Sequence, residues 1–223
     1  MEKNARSDGL ATKQLLLKVA ARLFSEKGYE RTTSKEICKL AQTNVASVNY
    51  HFGCKLALYQ QVLIDAHNHL INIDFLIEVQ RQSICPWQKL DQVIEKFAHN
   101  VLQDDWYARL FTREVFSPTP DFTEALKEII LGEIHPKIHI TKTIISEILD
   151  CPVDHPAVTR CAFNIGAPYI LMLAVHKDIC NHLFNGLLTT TPDNHVLIEH
   201  FKNYARGGLM QIKQELNNTL HST

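Results

Sequence analysis

Residues 33–55 read TSKEICKLAQTNVASVNYHFGCK, and the fold turns on how this stretch breaks. Thr33-Ser-Lys-Glu36 forms a capping box: the Thr33 hydroxyl can accept from the Glu36 amide, and the Glu36 carboxylate can return to the Thr33 amide. A short helix is expected to follow from Ser34 to Ala41, burying Ile37, Leu40 and Ala41. Gln42-Thr43-Asn44 interrupts the pattern. Asn44 is a good N-cap, so a second short helix should run from Val45 to His51 before Phe52-Gly53 ends it. Upstream, Leu15, Leu16, Val19, Ala20, Leu23 and Phe24 recur as one apolar helical stripe, with Thr12 placed to cap its start and Gly28 to end it.

A supporting helix, then two short helices joined by a tight turn, is a helix-turn-helix pattern. A short second helix with an exposed start can enter the major groove of DNA, roughly 12 Å wide. The side chains placed there are small and hydrogen-bonding: Thr43, Asn44, Ser47 and Asn49, then Tyr50 and His51. Such groups serve both phosphates and base edges. Lys55 opens the next helix, and Ser34 and Lys35 open the one before, where a cation and free amides can meet a phosphate. Phe52 is read as core.

Charge agrees with this placement. Residues 1–60 hold ten Lys/Arg against five Asp/Glu, whereas the rest of the chain holds 13 against 19, so a net charge of −1 over 223 residues conceals a basic end on an acidic body. Composition is that of a globular protein, 45% apolar and 21% charged. No run of 18 apolar residues is present and MEKNARSDGLATK has no apolar signal core, so a cytoplasmic protein with no membrane partner is expected. The six cysteines match no zinc module or C-x-x-C pair. His135 and His139 share a helix face near Glu133, but a metal needs three or four converging ligands, so no metal and no cofactor is expected. No nucleophile elbow, phosphate loop or paired acid–base signature occurs, which argues against an enzyme and names no catalytic residue.

Residues 13–63 resemble the DNA-binding domain of the TetR family of repressors, through A-x-x-L-F-x-x-x-G-Y at 20–29, T-T-x-x-x-I-x-x-x-A at 32–41 and Y-H-F-x-x-K-x-x-L-Y at 50–59. The resemblance implies a three-helix reader of DNA, a helical effector-binding domain and a homodimer on a palindromic operator. It places the DNA contacts at Ser34, Lys35, Thr43, Asn44, Val45, Ala46, Ser47, Asn49, Tyr50, His51 and Lys55. Three positions depart from the family pattern. Gln42 stands at a usual turn glycine, Asn49 where Tyr is common, and Cys54 where Ser or Asn usually caps the fourth helix, which should weaken that cap by about 1 kcal/mol. Further on, Arg113-Glu114, Ser117-Pro-Thr119, Glu133-x-x-Pro136 and Gly166 resemble the C-terminal domain of the CecR-type (YbiH-type) subgroup.

The remainder of the chain reads as helical throughout. A long helix should start near Lys55, with Leu58, Tyr59, Val62, Leu63 and Ala66 inward. Another should start at Pro86, one should run from a cap at Asp105 through Phe116, and further helices are expected over 121–132, 136–150, 156–176 and 193–218. The resulting expectation is an all-α protein: a helix-turn-helix domain over 1–55 and a larger helical effector-binding and dimerisation domain over 56–223. By analogy with the family, His67, Trp87, Trp106, Arg109, Phe111, Arg113 and Glu114 are candidate walls of an effector pocket, although aromatics at helical spacing are often core, and Arg113 has acidic neighbours to pair with. Ala162, Gly166, Ile170, Leu173, Phe201, Tyr204 and Leu209 are the candidate dimer interface, on two helices of which the first should kink at Pro168. The expected function is a ligand-responsive regulator, in first place a repressor, released from a DNA operator by a small-molecule effector. The alternative is a helical adaptor or an enzyme that has lost DNA binding.

Overall fold

The computed structural model describes residues 2–103, 110, 112–114, 116–118, 123–175, 177–186 and 194–220, with side chains of 2–8, 124, 125, 177 and 220 excepted. The described residues are helical, with no strand among them. Among the described residues eleven α-helices can be followed: α1 (Glu2–Lys27), α2 (Ser34–Leu40), α3 (Ser47–Phe52), α4 (Lys55–Leu70), α5 (Ile73–Arg81), α6 (Pro86–Leu102), α7 (Thr123–Ile129), α8 (His135–Leu149), α9 (Pro156–Ala174), α10 (Lys177–Leu183) and α11 (Asn194–Leu220). A π-helical turn, Ile130–Ile134, joins α7 to α8.

The chain folds as two compact units: residues 1–67 with 106–130, and residues 68–105 with 131–223. The sequence placed the boundary near 55. The first part of α4 belongs instead with the N-terminal helices, because Leu58, Tyr59, Val62 and Leu63 are fully buried there with Leu16, Ala20 and Phe24 of α1. Residues 106–130 also join the N-terminal unit, an insertion that apolar periodicity gives no means to foresee.

The N-terminal unit is built on local signals. Gly28 ends α1 at φ +81°, its amide returning to the Phe24 carbonyl at 2.9 Å. Thr12 does not start α1, which runs back to Glu2. An apolar stripe marks only the buried part of a helix, and the polar turns before it leave no such trace. Thr32, fully buried, donates its hydroxyl to the Gly28 carbonyl at 2.8 Å, satisfying a group whose burial would otherwise be costly.

In the second unit α8 is central, packing against α5, α6, α9 and α11. Its Ile144, Ile145, Ile148 and Leu149 are buried with Leu90, Val93, Ile94 and Ala98 of α6. The end of α4 is held here as well: Asn100 donates to the carbonyls of His69 and Leu70, and Lys137 donates to Asn68 Oδ1 at 2.6 Å. A ladder joins α6 to α11, with Asp91 on Arg206 and Glu95 on Lys202 at 2.7 Å. The expected helices over 136–150, 156–176 and 193–218 are present within a few residues. Helices α5 and α10 lack an assignment in the sequence because each is short; the Asn72 cap on the Asp74 amide, at 2.7 Å, is the local signal for α5.

Helix α9 is long and apolar enough to cross a membrane by length and composition, yet Val158, Cys161, Tyr169 and Met172 are buried within the second unit. Of the residues expected at a dimer interface, Leu173 and Leu209 are buried in their own chain, and Phe201 packs edge-on to Tyr169 at 4.9 Å. Leu173 and Leu209 are thus intrachain core, while Phe201 is half-buried. Both helices carry two apolar faces, and the outer one is that of Phe163, Ile170 and Leu171 on α9 and Val196, Tyr204 and Met210 on α11. Ala162 and Gly166 are half-buried.

Candidate nucleic-acid interface

Helix α2 starts as its sequence dictates, with Thr33 Oγ1 accepting from the Glu36 amide at 3.2 Å. The reciprocal half of the capping box is not formed. The Glu36 carboxylate pairs with the Lys27 ammonium, a full charge at the end of α1 that attracts it more strongly than a neutral amide. One side of α2 is buried through Ile37 and Cys38 and the other carries Lys35 and Lys39 outward.

The turn is a Schellman motif. The Thr43 amide returns to the Cys38 carbonyl at 2.9 Å and the Gln42 amide to Lys39 at 3.2 Å, which requires Gln42 in the left-handed region at φ +52°. Asn44 then folds an Asx turn, its Oδ1 accepting from the Ala46 amide at 2.9 Å. Helix α3 therefore begins at Ser47, two residues later than the sequence suggested, and ends on Gly53 at φ +83°.

Only Val48 of α3 is buried. Asn44, Val45, Ala46, Asn49 and Tyr50 all face solvent, with Val45 59% and Tyr50 84% exposed, while Thr43, Ser47 and His51 are half-buried. Exposed apolar groups in the turn and on the short polar helix after it have no folding rationale, but they match thymine methyls. The sequence readings that took Tyr50 outward and Phe52 inward differ in outcome: Phe52 is half-buried rather than core, with the Lys13 ammonium 5.5 Å over its ring. Lys13 was not singled out by sequence, since it lies on α1 and nothing in its spacing points to α3.

Helix α4 begins on Cys54, whose thiol sulfur accepts from the Ala57 amide at 3.4 Å, a long bond from a weak acceptor in place of a hydroxyl or amide cap. The Lys55 ammonium is largely committed inside the unit. It donates to the Tyr29 and Thr32 carbonyls at 3.1 and 3.0 Å and lies 3.9 Å from the centre of the Tyr29 ring. Two of its three protons thus tie α4 to the segment between α1 and α2, whatever else it does with the third. Ser34, at the first helical position of α2, is half-buried, and Lys35 beside it is exposed.

Of the seven residues expected to wall an effector pocket, His67, Arg113 and Glu114 belong to the N-terminal unit and Trp87 to the second. Trp106, Arg109 and Phe111 lie outside the described residues. His67 is buried in the N-terminal unit, and Trp87 belongs to the second, where the Arg206 guanidinium sits 5.7 Å from its ring. Arg113 and Glu114 hold the N-terminal unit itself: Arg113 donates to the Phe24 carbonyl at 3.2 Å, and Glu114 accepts from the Tyr59 hydroxyl at 2.5 Å. Burial, followed by the hydrogen bond to Glu114, pushes the Tyr59 hydroxyl far above its ordinary pKa. Among the described residues no group of three metal-binding side chains occurs.

A basic unit that presents a short, solvent-facing second helix behind a supporting helix is the head of a helix-turn-helix DNA-binding regulator. Residues 16–62 match the family described as bacterial regulatory proteins of the tetR family, and residues 86–190 match the C-terminal domain of the HTH-type transcriptional dual regulator CecR. Together the two matches support a transcriptional regulator of the TetR family, a family that is not enzymatic. Over 141 residues it is 29% identical to the biofilm operon icaADBC HTH-type negative transcriptional regulator IcaR of Staphylococcus aureus, covering 58% of this chain and 74% of that protein. Its fold is similar to that of a TetR-family regulatory protein from Rhodococcus RHA1, with TM-score 0.63 and 17% identity, covering 90% of this chain and 96% of that one. A TetR-family regulator from Mesorhizobium loti gives TM-score 0.62 at 16% identity, covering 91% and 96%.

Proposed function

We propose that the chain is a cytoplasmic, ligand-responsive repressor. It binds a palindromic operator as a homodimer through Ser34, Lys35 and the segment 43–51, and a small organic effector releases it. The observation that carries this reading is the bare outer face of the turn and of α3, where Val45 before the helix and Asn49 and Tyr50 on it stand exposed, while α3 buries only Val48. That the Staphylococcus aureus relative is a negative transcriptional regulator supports repression. A dimer is supported by the exposed seam of Phe163, Ile170 and Leu171 on α9, and by Gly166, Gly207 and Gly208, where an added Cβ would meet nothing within 4 Å. Glycine inside a helix costs about 1 kcal/mol relative to alanine, so three such positions without an intrachain reason favour close approach by a second copy. Two-fold symmetry would then set two α3 helices in successive major grooves, about 34 Å apart. Release would follow from an effector that prefers the conformation in which those helices are misplaced.

Selection of bound duplexes from a random pool, followed by footprinting, tests the proposal. Two inverted half-sites about one helical turn apart are expected, with affinity falling steeply as salt rises. No binding to any duplex at low salt would leave the helical adaptor as the reading. Effector response is read by screening organic compounds for release of the selected site.

A further inference from the structure

The chain passes between its two units three times: within α4 at 67/68, at 105/106, and at 130/131 inside the π-helical turn. Segment 106–130 therefore leaves the second unit, contributes to the N-terminal unit and returns. What it contributes is a pair of polar grips at consecutive positions. Glu114 is only 2% exposed and accepts from Tyr59 of α4, and Arg113 donates to the carbonyl of Phe24 near the end of α1. Tyr59 in turn meets the Phe24 ring edge-on at 4.6 Å and the Tyr29 ring at 4.9 Å. Tyr29 carries Lys55 on its face, and Lys55 holds the Thr32 carbonyl just before the α2 cap.

From this chain of contacts we infer that Arg113 and Glu114 are positioning residues of the DNA reader, clamping α1 to α4 and so fixing where α2 and α3 sit relative to the duplex. The inference rests on the DNA-reading function proposed above. Neither residue touches DNA: both act through the Phe24–Tyr29–Tyr59 cluster. A buried carboxyl group is an unusual choice for a purely cohesive contact, since apolar residues of similar volume generally stabilise a core as well or better. What a hydrogen-bonded pair adds is direction, holding Tyr59 in one orientation.

The test uses the full chain with Glu114→Gln, which keeps size and an acceptor oxygen, and Arg113→Gln, which keeps the Glu114 carboxyl but removes the donor to the Phe24 carbonyl and the charge beside Tyr59. Each is titrated with the duplex selected by the parent protein and with an unrelated duplex of equal length at low salt. Loss of position should weaken the selected site by about tenfold or more while the unrelated duplex changes by less than about twofold, because base readout needs register and phosphate attraction does not. Tyr59→Phe should produce the same split, and combining it with Glu114→Gln should add little. Equal loss on both duplexes, or no loss on either in a protein of unchanged helicity, overturns the inference. If Glu114→Gln loses helicity, Arg113→Gln decides on the same criterion. A parent protein that binds neither duplex defeats the DNA-reading proposal instead, which the control reports separately.

Discussion

The ammonium of Lys55 lies 3.0 Å from the carbonyl oxygen of Thr32, so the first residue of α4 holds the residue that precedes the cap of α2. A cation at this point of the family motif invites a phosphate contact. In this structure it is equally a fastener of the domain that reads DNA, which makes its two roles separable by experiment. Lys55→Met should lower unfolding stability by about 1–3 kcal/mol, the range for hydrogen bonds from a charged donor, as read by urea titration. It should also weaken binding to the selected and the unrelated duplex through loss of a phosphate contact, with any additional loss on the selected duplex reporting the fastening role. Unchanged stability would show that the two carbonyl bonds contribute nothing net.

Gln42 occupies the position of a Schellman turn that strongly favours glycine, at φ +52°. A left-handed residue with a Cβ costs roughly 1–2 kcal/mol, and the added flexibility of glycine in the unfolded chain returns part of this. Gln42→Gly should therefore stabilise the protein by about 0.5–1 kcal/mol with no change in the selected DNA sequence. A loss of stability would show that the Gln42 side chain makes a compensating contact.

Lys137 is 3% exposed, and burial lowers its pKa from 10.5 to about 8, with nearby Glu133 opposing the shift. Below pH 8 the group is charged both folded and unfolded, and the full cost of burying the charge is present. Between pH 8 and about 10.5 the unfolded chain holds more protons than the folded one, so stability should rise with pH across that window. Tyr59 and Tyr169 act oppositely. Burial raises both above their ordinary value of 10.0, so the folded state keeps protons that the unfolded state releases, and stability should fall as pH passes 10. A maximum near pH 10 is the expected result of denaturant titrations at fixed pH. Lys137→Met should be the more stable protein at pH 7, by a few kcal/mol at most, and should lose the rising limb. A rising limb that survives in Lys137→Met would place its origin elsewhere.

These positions also show which parts of the molecule the sequence makes legible. The helix-turn-helix is readable because local signals mark its boundaries: Thr33 caps α2, Gly28 and Gly53 end α1 and α3, and Asn44 marks the turn, although it folds an Asx turn there and does not cap α3. The first turns of α1 are not, since polar residues on a solvated helix leave no periodicity. Residue type suggested Arg113 and Glu114 for a ligand pocket, but it does not reveal direction, and both side chains turn into the N-terminal unit. The same limit applies to α9 and α11. Leu173 and Leu209 look identical in sequence to Ile170 and Met210, and only packing separates the inner face from the outer one.

The outer face of α9 gives the last prediction. Phe163 is 71% exposed and Ile170 42%, two turns apart on one side of a helix whose other side is buried against α6, α8 and α11. Fully burying such side chains contributes about 1.5–3 kcal/mol each, and a two-fold interface counts every residue twice. Ile170→Glu would place two like charges in a closed seam, whereas in a monomer it would be an ordinary surface change within about 0.5 kcal/mol. Sedimentation at micromolar concentration should therefore find the parent chain dimeric and the variant largely monomeric, with helicity unchanged. DNA affinity for a two-half-site duplex should fall in parallel, while a single half-site should be bound as before, because each recognition helix is intact and only their linkage is lost. A variant that remains dimeric would move the interface away from α9, and the glycines of α11 would be the next place to introduce charge.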